Sequence, residues 1–402
     1  MIKYSTQRND GRTDMDIEEF RKLSFSGATF DSRLVRPGML FVALKGEKSD
    51  GRDFIPQALK AGAVGVIEGY DELNALAREY RRSLAPKTTV VALTGSAGKT
   101  TTKELLKTFL SCAGRTYATE GNYNNHIGVP VTILNCPRDA DFLVLEMGSN
   151  HPGEIAALCD VAEPDCGLVT NVGTAHLEFF GSQDGIAEEK GTLLARAPRF
   201  GVVSDENVRL ARLRELCRGE FIEVDPRQEW MAKAMSLVLP GTHNVSNACL
   251  AFAVAERFGV TREQAIEALE GFSLPGARWR RSERDGVRYI DDSYNANPDS
   301  MIAALDAFVA TPCDGKRVAV LGDMFELGAD SAEMHRRVFD HAMKLGIPLV
   351  IGVGEQSSQC LCHLAYKTFA PLKKKFRLDV SSGDLVLLKA SHSMNLSSLL
   401  ER

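Results

Sequence analysis

Residues 90–110 read VVALTGSAGKTTTKELLKTFL, an apolar run, a glycine-rich turn and then a helical pattern. Chemistry on a polyphosphate uses such a turn. Gly95 and Gly98 let backbone N–H groups approach anionic oxygens, Lys99 reaches the terminal phosphates, Thr100 offers a hydroxyl to Mg²⁺, and the helix N-terminus adds its dipole. Gly95, Ser96, Ala97, Gly98, Lys99, Thr100 and Thr101 are therefore candidate ATP-binding residues. The strict phosphate-loop pattern would have glycine where Leu93 stands, so this loop is a shorter variant. The plain alternative is an ordinary strand-to-helix turn.

Other candidates follow downstream. DFLVLEMGSNH ends an apolar run at Glu146, which places a carboxylate near the same sheet edge, where a metal-binding acid belongs. LVTNVGTAH sets His176 just past another strand, and Lys190 lies in GIAEEKGTLL. Each has a bland counterpart: a solvated strand-end acid, a structural histidine, and a surface ion pair of Lys190 with Glu188 or Glu189. In GTHNVSN, Asn244 is read as a helix cap, the better reading from residues alone, with Asn247 placed to offer its amide to a purine edge. Cys360 and Cys362 beside His363 could bind metal, but no second cluster of ligands accompanies them.

The elements that must position these residues form three α/β units. To about residue 87, GMLFVALKG reads as a strand and DFIPQALKAGAVGVIEG as helix then strand, closed by a linker at RRSLAPKTT. From Val90, strands alternate with helices, the pattern of a parallel sheet with ligands at the carboxyl ends of its strands. Helices follow at NVSNACLAFAVAERFGV and TREQAIEALEGF, the second with Thr261 as N-cap and Gln264 three residues on. After Pro275 and Gly276, the runs GVRYIDD, KRVAVLGDM, IPLVIGVG and DLVLLKAS read as four strands of a third, Rossmann-like sheet. The expected domains are 1–87, 88–275 and 276–402. With 48 basic and 53 acidic side chains the net charge is -5, which gives no footing for nucleic acid and points to small partners. No signal-type apolar segment opens the chain and no apolar run is long enough to span a bilayer, so a cytoplasmic protein without membrane insertion is expected, its nine cysteines reduced.

Seven blocks, TGSAGKTTTKE, GNYNNHIGVP, EMGSNHPGEI, AHLEFFGS with EEKG, GTHNVSNA, DDSYNANPDSM and LGDMFELG, together resemble the ATP-dependent Mur ligase family in order and register over nearly the whole chain. In that family the loop begins at Thr94 and Gly95, which accounts for Leu93. MGSNHPGEI and DDSYNANPDSM resemble the branch that adds a dipeptide.

The resemblance implies a P-loop ATPase domain between a uridine-nucleotide-binding domain and a Rossmann-like domain for the dipeptide. The activity implied is ATP-dependent amide formation through an acyl phosphate, joining D-alanyl-D-alanine to UDP-N-acetylmuramoyl-tripeptide in peptidoglycan precursor synthesis by a monomer. It implies that Lys99, His176 and Lys190 act in catalysis. Two Mg²⁺ ions would be held, one by Thr100 and Glu146 and one by His176 with Lys190 carbamylated by CO₂. Asn247, Arg278 and Asp292 would contact ATP. Substrate-binding residues by resemblance are Asp31, Ser32 and Arg33, then Asn122, Asn124 and Asn125, then Tyr294, Asn295 and Asn297. Read without the family, Asp31 to Arg33 and Asp50, Gly51 and Phe54 are turns around a strand.

The chain departs from the family between Ala197 and GTHNVSN, where it is shorter, and at Ala390 and His392, where glycine and arginine are usual. The alternatives are a sibling ligase or folylpolyglutamate synthase adding a single amino acid, and a nucleotide-binding protein without ligase activity.

Overall fold

The computed structural model describes residues 17–46, 49–173, 177–376 and 380–400. Three sheets organise the chain. The first has three parallel strands, Ala28–Thr29, Leu40–Val42 and Gly65–Ile67. The central sheet has six strands in the spatial order Thr116–Ala118, Phe142–Glu146, Thr89–Thr94, Cys166–Val169, Phe200–Ser204 and Glu220–Val224, all parallel. The third sheet runs Arg280–Arg284, Val287–Asp291, Leu385–Lys389, Arg317–Gly322, Leu349–Val353 and Leu364–Tyr366, parallel except for its first pair.

Side-chain alternation decides what each face of the central sheet covers. Val90 and Ala92 with Leu143 and Leu145 share a core with Leu40, Val42 and Ile67 of the first sheet. Val91, Leu93 and Val144 point the other way, into a core that runs through helix Thr242–Glu256 to Met301, Phe308 and Leu321 of the third unit. One strand thus seats a neighbour on each side. Helix Lys99–Leu110 buries Leu105, Leu106, Phe109 and Leu110. It lies along helix Thr242–Glu256, with Phe109 edge-on to Phe252 at 6.3 Å. The phosphate-loop helix is thereby wedged between the sheet and a second helix.

The expected strands and helices form, and Thr261 and Gln264 make a reciprocal capping box on helix Arg262–Leu269. Several expectations change. The segment read as a linker begins inside helix Tyr70–Leu84, because Arg81 is buried and donates to Ala162 O and to Asp165. Asn244 does not cap its helix: Gly241 holds the cap position, and the Asn244 amide donates back to Pro240 O from within the first turn. The shortened region after Ala197 still carries two parallel strands, Phe200–Ser204 and Glu220–Val224. All nine cysteines are free thiols, as expected, and Cys112 is exposed. No helix among the described residues is long and apolar enough to cross a membrane.

Candidate active site

The phosphate loop spans from Thr94, the last residue of its strand, to Lys99, the first residue of its helix. Gly95 has φ 149°, and a Cβ there would lie 1.9 Å from Thr170 Oγ1, so only glycine fits. Gly98 has φ 77°, and its Cβ would meet the Asn247 carboxamide at 2.6 Å. Asn247 is therefore held against the loop from helix Thr242–Glu256. The next strand secures the rest: Ala97 N donates to Asn171 Oδ1 at 2.9 Å, Ser96 N to Asn171 O, and Thr170 Oγ1 to Ala97 O at 2.6 Å. Ser96 Oγ accepts from Gly173 N. Thr170 and Asn171 were missed by sequence reasoning. The available signal was their place just past a central strand, beside the loop.

Lys99 Nζ donates to Gly95 O at 2.7 Å. Burial and the nearby Arg278 charge lower its pKa, while Glu146 acts in the opposite sense. Arg278, in the third unit, has its guanidinium 3.5 Å over the Tyr294 ring, which in turn lies 5.2 Å from the ring of His392. Ala390 is fully buried beside Gly322. Asp292 is taken by Lys389, whose ammonium donates to its carboxylate at 2.6 Å, and its other oxygen accepts from Trp279 N.

Glu146 lies beside Leu93 in register, at the carboxyl edge of the sheet. Its backbone N donates to Thr119 Oγ1, Oε1 accepts from Asn124 Nδ2 at 2.8 Å, and Oε2 is buried with no partner among the described residues. An orphaned carboxylate oxygen at the edge of the strand beside the phosphate-loop strand suits Mg²⁺, which keeps most of its shell for waters and phosphates. No group of three or more His, Cys, Asp or Glu side chains among the described residues could cage a metal, and Cys360, Cys362 and His363 form no such centre. His176 lies outside the described residues.

Lys190 is not a surface charge. It is 2% exposed on helix Gln183–Arg196 and donates to Ser149 Oγ at 2.5 Å, above the Phe180 ring. Its neighbours in sequence are used elsewhere: Glu188 pairs with Arg212, and Glu189 accepts from Gly153 N and Ile155 N. Burial, reinforced by the Lys99 charge, lowers the Lys190 pKa to about 7.

The remaining candidates make local contacts. Asn125 Oδ1 accepts from Ile127 N and Gly128 N, while Asn122 O accepts from Asn124 N. Asn297 caps helix Pro298–Ala310 with Ser300, and Asn295 Oδ1 accepts from Ala296 N. Asp31 accepts from Arg33 N and pairs with its guanidinium, and Ser32 Oγ donates to Gln57.

Three family descriptions match the chain: "Mur ligase family, catalytic domain" at residues 24–93, "Mur ligase middle domain" at 93–224 and "Mur ligase, glutamate ligase domain" at 277–392. The chain belongs to the Mur ligase family of ATP-dependent ligases. It is 34% identical to the UDP-N-acetylmuramoyl-tripeptide--D-alanyl-D-alanine ligase of Escherichia coli over 92% of each chain. Among solved structures, MurF from Acinetobacter baumannii superposes with a TM-score of 0.81 at 28% identity, covering 93% of this chain and 92% of that one. The MurF ligase from Thermotoga maritima in complex with ADP does so at 0.80 and 29%, covering 94% and 97%.

Proposed function

We propose that this chain joins D-alanyl-D-alanine to UDP-N-acetylmuramoyl-tripeptide, with ATP converted to ADP and phosphate. One observation carries the reading: at a single sheet edge the fold gathers a phosphate loop with its lysine, a carboxylate with one unused oxygen, and a buried lysine with lowered pKa. The relatives that match along nearly the whole chain bear that activity in their names. The three units take the uridine nucleotide (1–87), ATP (88–275) and the dipeptide (276–402).

Lys99 and the loop N–H groups hold the phosphates in line with the acceptor carboxylate, and Arg278 approaches from the third unit as that unit closes. Thr100 and Glu146 would hold one Mg²⁺, with Asn124 fixing the Glu146 carboxylate. Bound there, the ion supplies charge neutralisation between phosphate and carboxylate. Lys190, with its pKa lowered to about 7, would be the amine that holds CO₂ as an anionic carbamate, and that carbamate with His176 would supply the ligands of a second Mg²⁺. Asn247 meets the adenine side of the nucleotide, and Asp292, tethered by Lys389, stands at the nucleotide face of the third unit. Asp31, Ser32 and Arg33 face the uridine nucleotide, Asn122 and Asn125 the muramoyl side, and Tyr294, Asn295 and Asn297 the dipeptide side. Phosphoryl transfer to the carboxylate gives an acyl phosphate, and attack by the dipeptide amine releases phosphate.

The test is phosphate release with ATP, Mg²⁺, UDP-N-acetylmuramoyl-tripeptide and D-alanyl-D-alanine, leaving out each in turn. Release that needs all four is expected. Release with glutamate or diaminopimelate in place of the dipeptide would move the chain to a sibling activity, and ATP binding without any release would make it a nucleotide-binding protein.

A further inference from the structure

The residues assigned so far serve the phosphates and the acceptor carboxylate, yet the incoming amine also has a requirement. A dipeptide arrives at neutral pH as an ammonium, and nitrogen cannot attack an acyl carbon until it has given up a proton. We propose that His151, oriented by Glu154, accepts that proton and is a catalytic residue of the amide-forming step. The proposal rests on the ligase reading above.

The imidazole is placed by two contacts. Its Nδ1 is 3.2 Å from Glu154 Oε1, and its ring packs against Phe179 at 4.5 Å. With Nδ1–H donating to the carboxylate, neutral His151 keeps Nε2 as the acceptor. The turn does not need the imidazole for its own stability. Glu154 Oε2 already accepts from Asn150 N and His151 N, and Glu189 holds Gly153 N and Ile155 N from the neighbouring helix. Partial burial disfavours the Glu154 anion, but the N–H groups of Asn150 and His151 and the imidazole outweigh it and hold the carboxyl below its ordinary pKa.

The position is equally telling. Two residues before His151, Ser149 accepts from Lys190, and the short helix Leu177–Phe180 turns Phe180 toward Lys190 and Phe179 toward His151. The adjacent Glu178 carboxylate lies against Gly328 of the third unit, 2.9 Å from where its Cβ would stand. His151 and Phe179, 57% and 45% exposed, thus form an exposed ledge beside the helix that touches the third unit.

The step balances. The ammonium gives one proton to Nε2, the freed lone pair forms the C–N bond, and as the C–O bond to phosphate breaks the second nitrogen proton passes to the departing oxygen, so that phosphate leaves as hydrogen phosphate. The imidazolium then loses its proton to solvent.

Hydroxylamine, an amine already uncharged at neutral pH, separates this role from a structural one. It traps the acyl phosphate as a hydroxamate without needing a base. With ATP, Mg²⁺ and the uridine tripeptide present, H151Q should lose about 10²-fold in amide formation with D-alanyl-D-alanine, while hydroxamate formation stays near the wild-type rate. Added imidazole should partly restore the dipeptide reaction of H151A. Dipeptide and hydroxylamine rates that fall together, or a dipeptide rate that does not fall, would overturn the proposal. Wild-type protein forming neither amide nor hydroxamate would instead sink the ligase reading.

Discussion

Two groups of charged residues in this molecule are built on opposite plans. Around the first sheet, Asp31 with Arg33 and Asp50 with Arg52 each form a self-contained turn: the aspartate accepts from the backbone N two residues on and pairs with that residue's guanidinium. Asp225 and Arg227, on the flank of the central sheet, share the device. At the central sheet edge, Lys99 donates to a carbonyl, Lys190 to a serine, and Glu146 keeps one buried oxygen without a partner among the described residues. Charges that satisfy one another within three residues shape the chain locally. Charges withdrawn from water with no ion pair among the described residues are prepared for a ligand. By this measure the central edge is marked as a site by its own physics, while the turns around the first sheet resemble ordinary ones.

The widest separation between the two plans should come from K99M, which removes the only phosphate-reaching cation of the loop and should lower phosphate release about 10²- to 10³-fold. R33A should change the KM for the uridine nucleotide and leave kcat unchanged. Equal losses of kcat in both variants would erase the distinction. K190A should be nearly as inactive as K99M, with acetate or formate partly restoring phosphate release, because a free carboxylate replaces the carbamate. Activity near wild type would remove the carbamate from the mechanism.

The pKa of about 7 at Lys190 allows two finer measurements. Labelled CO₂ should appear on Lys190 increasingly as pH rises through 7, since only the uncharged amine reacts, and K190M should show none. Folding stability in CO₂-free buffer carries the opposite face of the same shift. Between about pH 7 and the ordinary lysine value of 10.5, the unfolded chain binds the proton that the folded one has lost, so this residue makes stability rise with pH across that window. The rise should flatten in K190M. Smallest of all, T261A should cost about 1 kcal/mol in denaturant titration by removing a capping box, with kinetics unchanged.

What could be read along the chain was whatever a few consecutive residues settle. The glycine turn before Lys99, the alternation of Val90, Val91, Ala92 and Leu93, and the capping box at Thr261 depend on backbone conformation and side-chain period, both local. The order of the blocks added the family, and with it an expectation for Lys190 that its acidic neighbours concealed. Tertiary structure decided the rest, because parallel strands are paired through crossovers that bring distant residues to one edge. Asn124 on Glu146 and Thr170 and Asn171 on the loop are contacts of this kind, and Asn247 against Gly98 is added by helix packing. Burial is likewise a property of the assembled fold: the same lysine is a surface charge on an isolated helix and a near-neutral amine beneath Ser149.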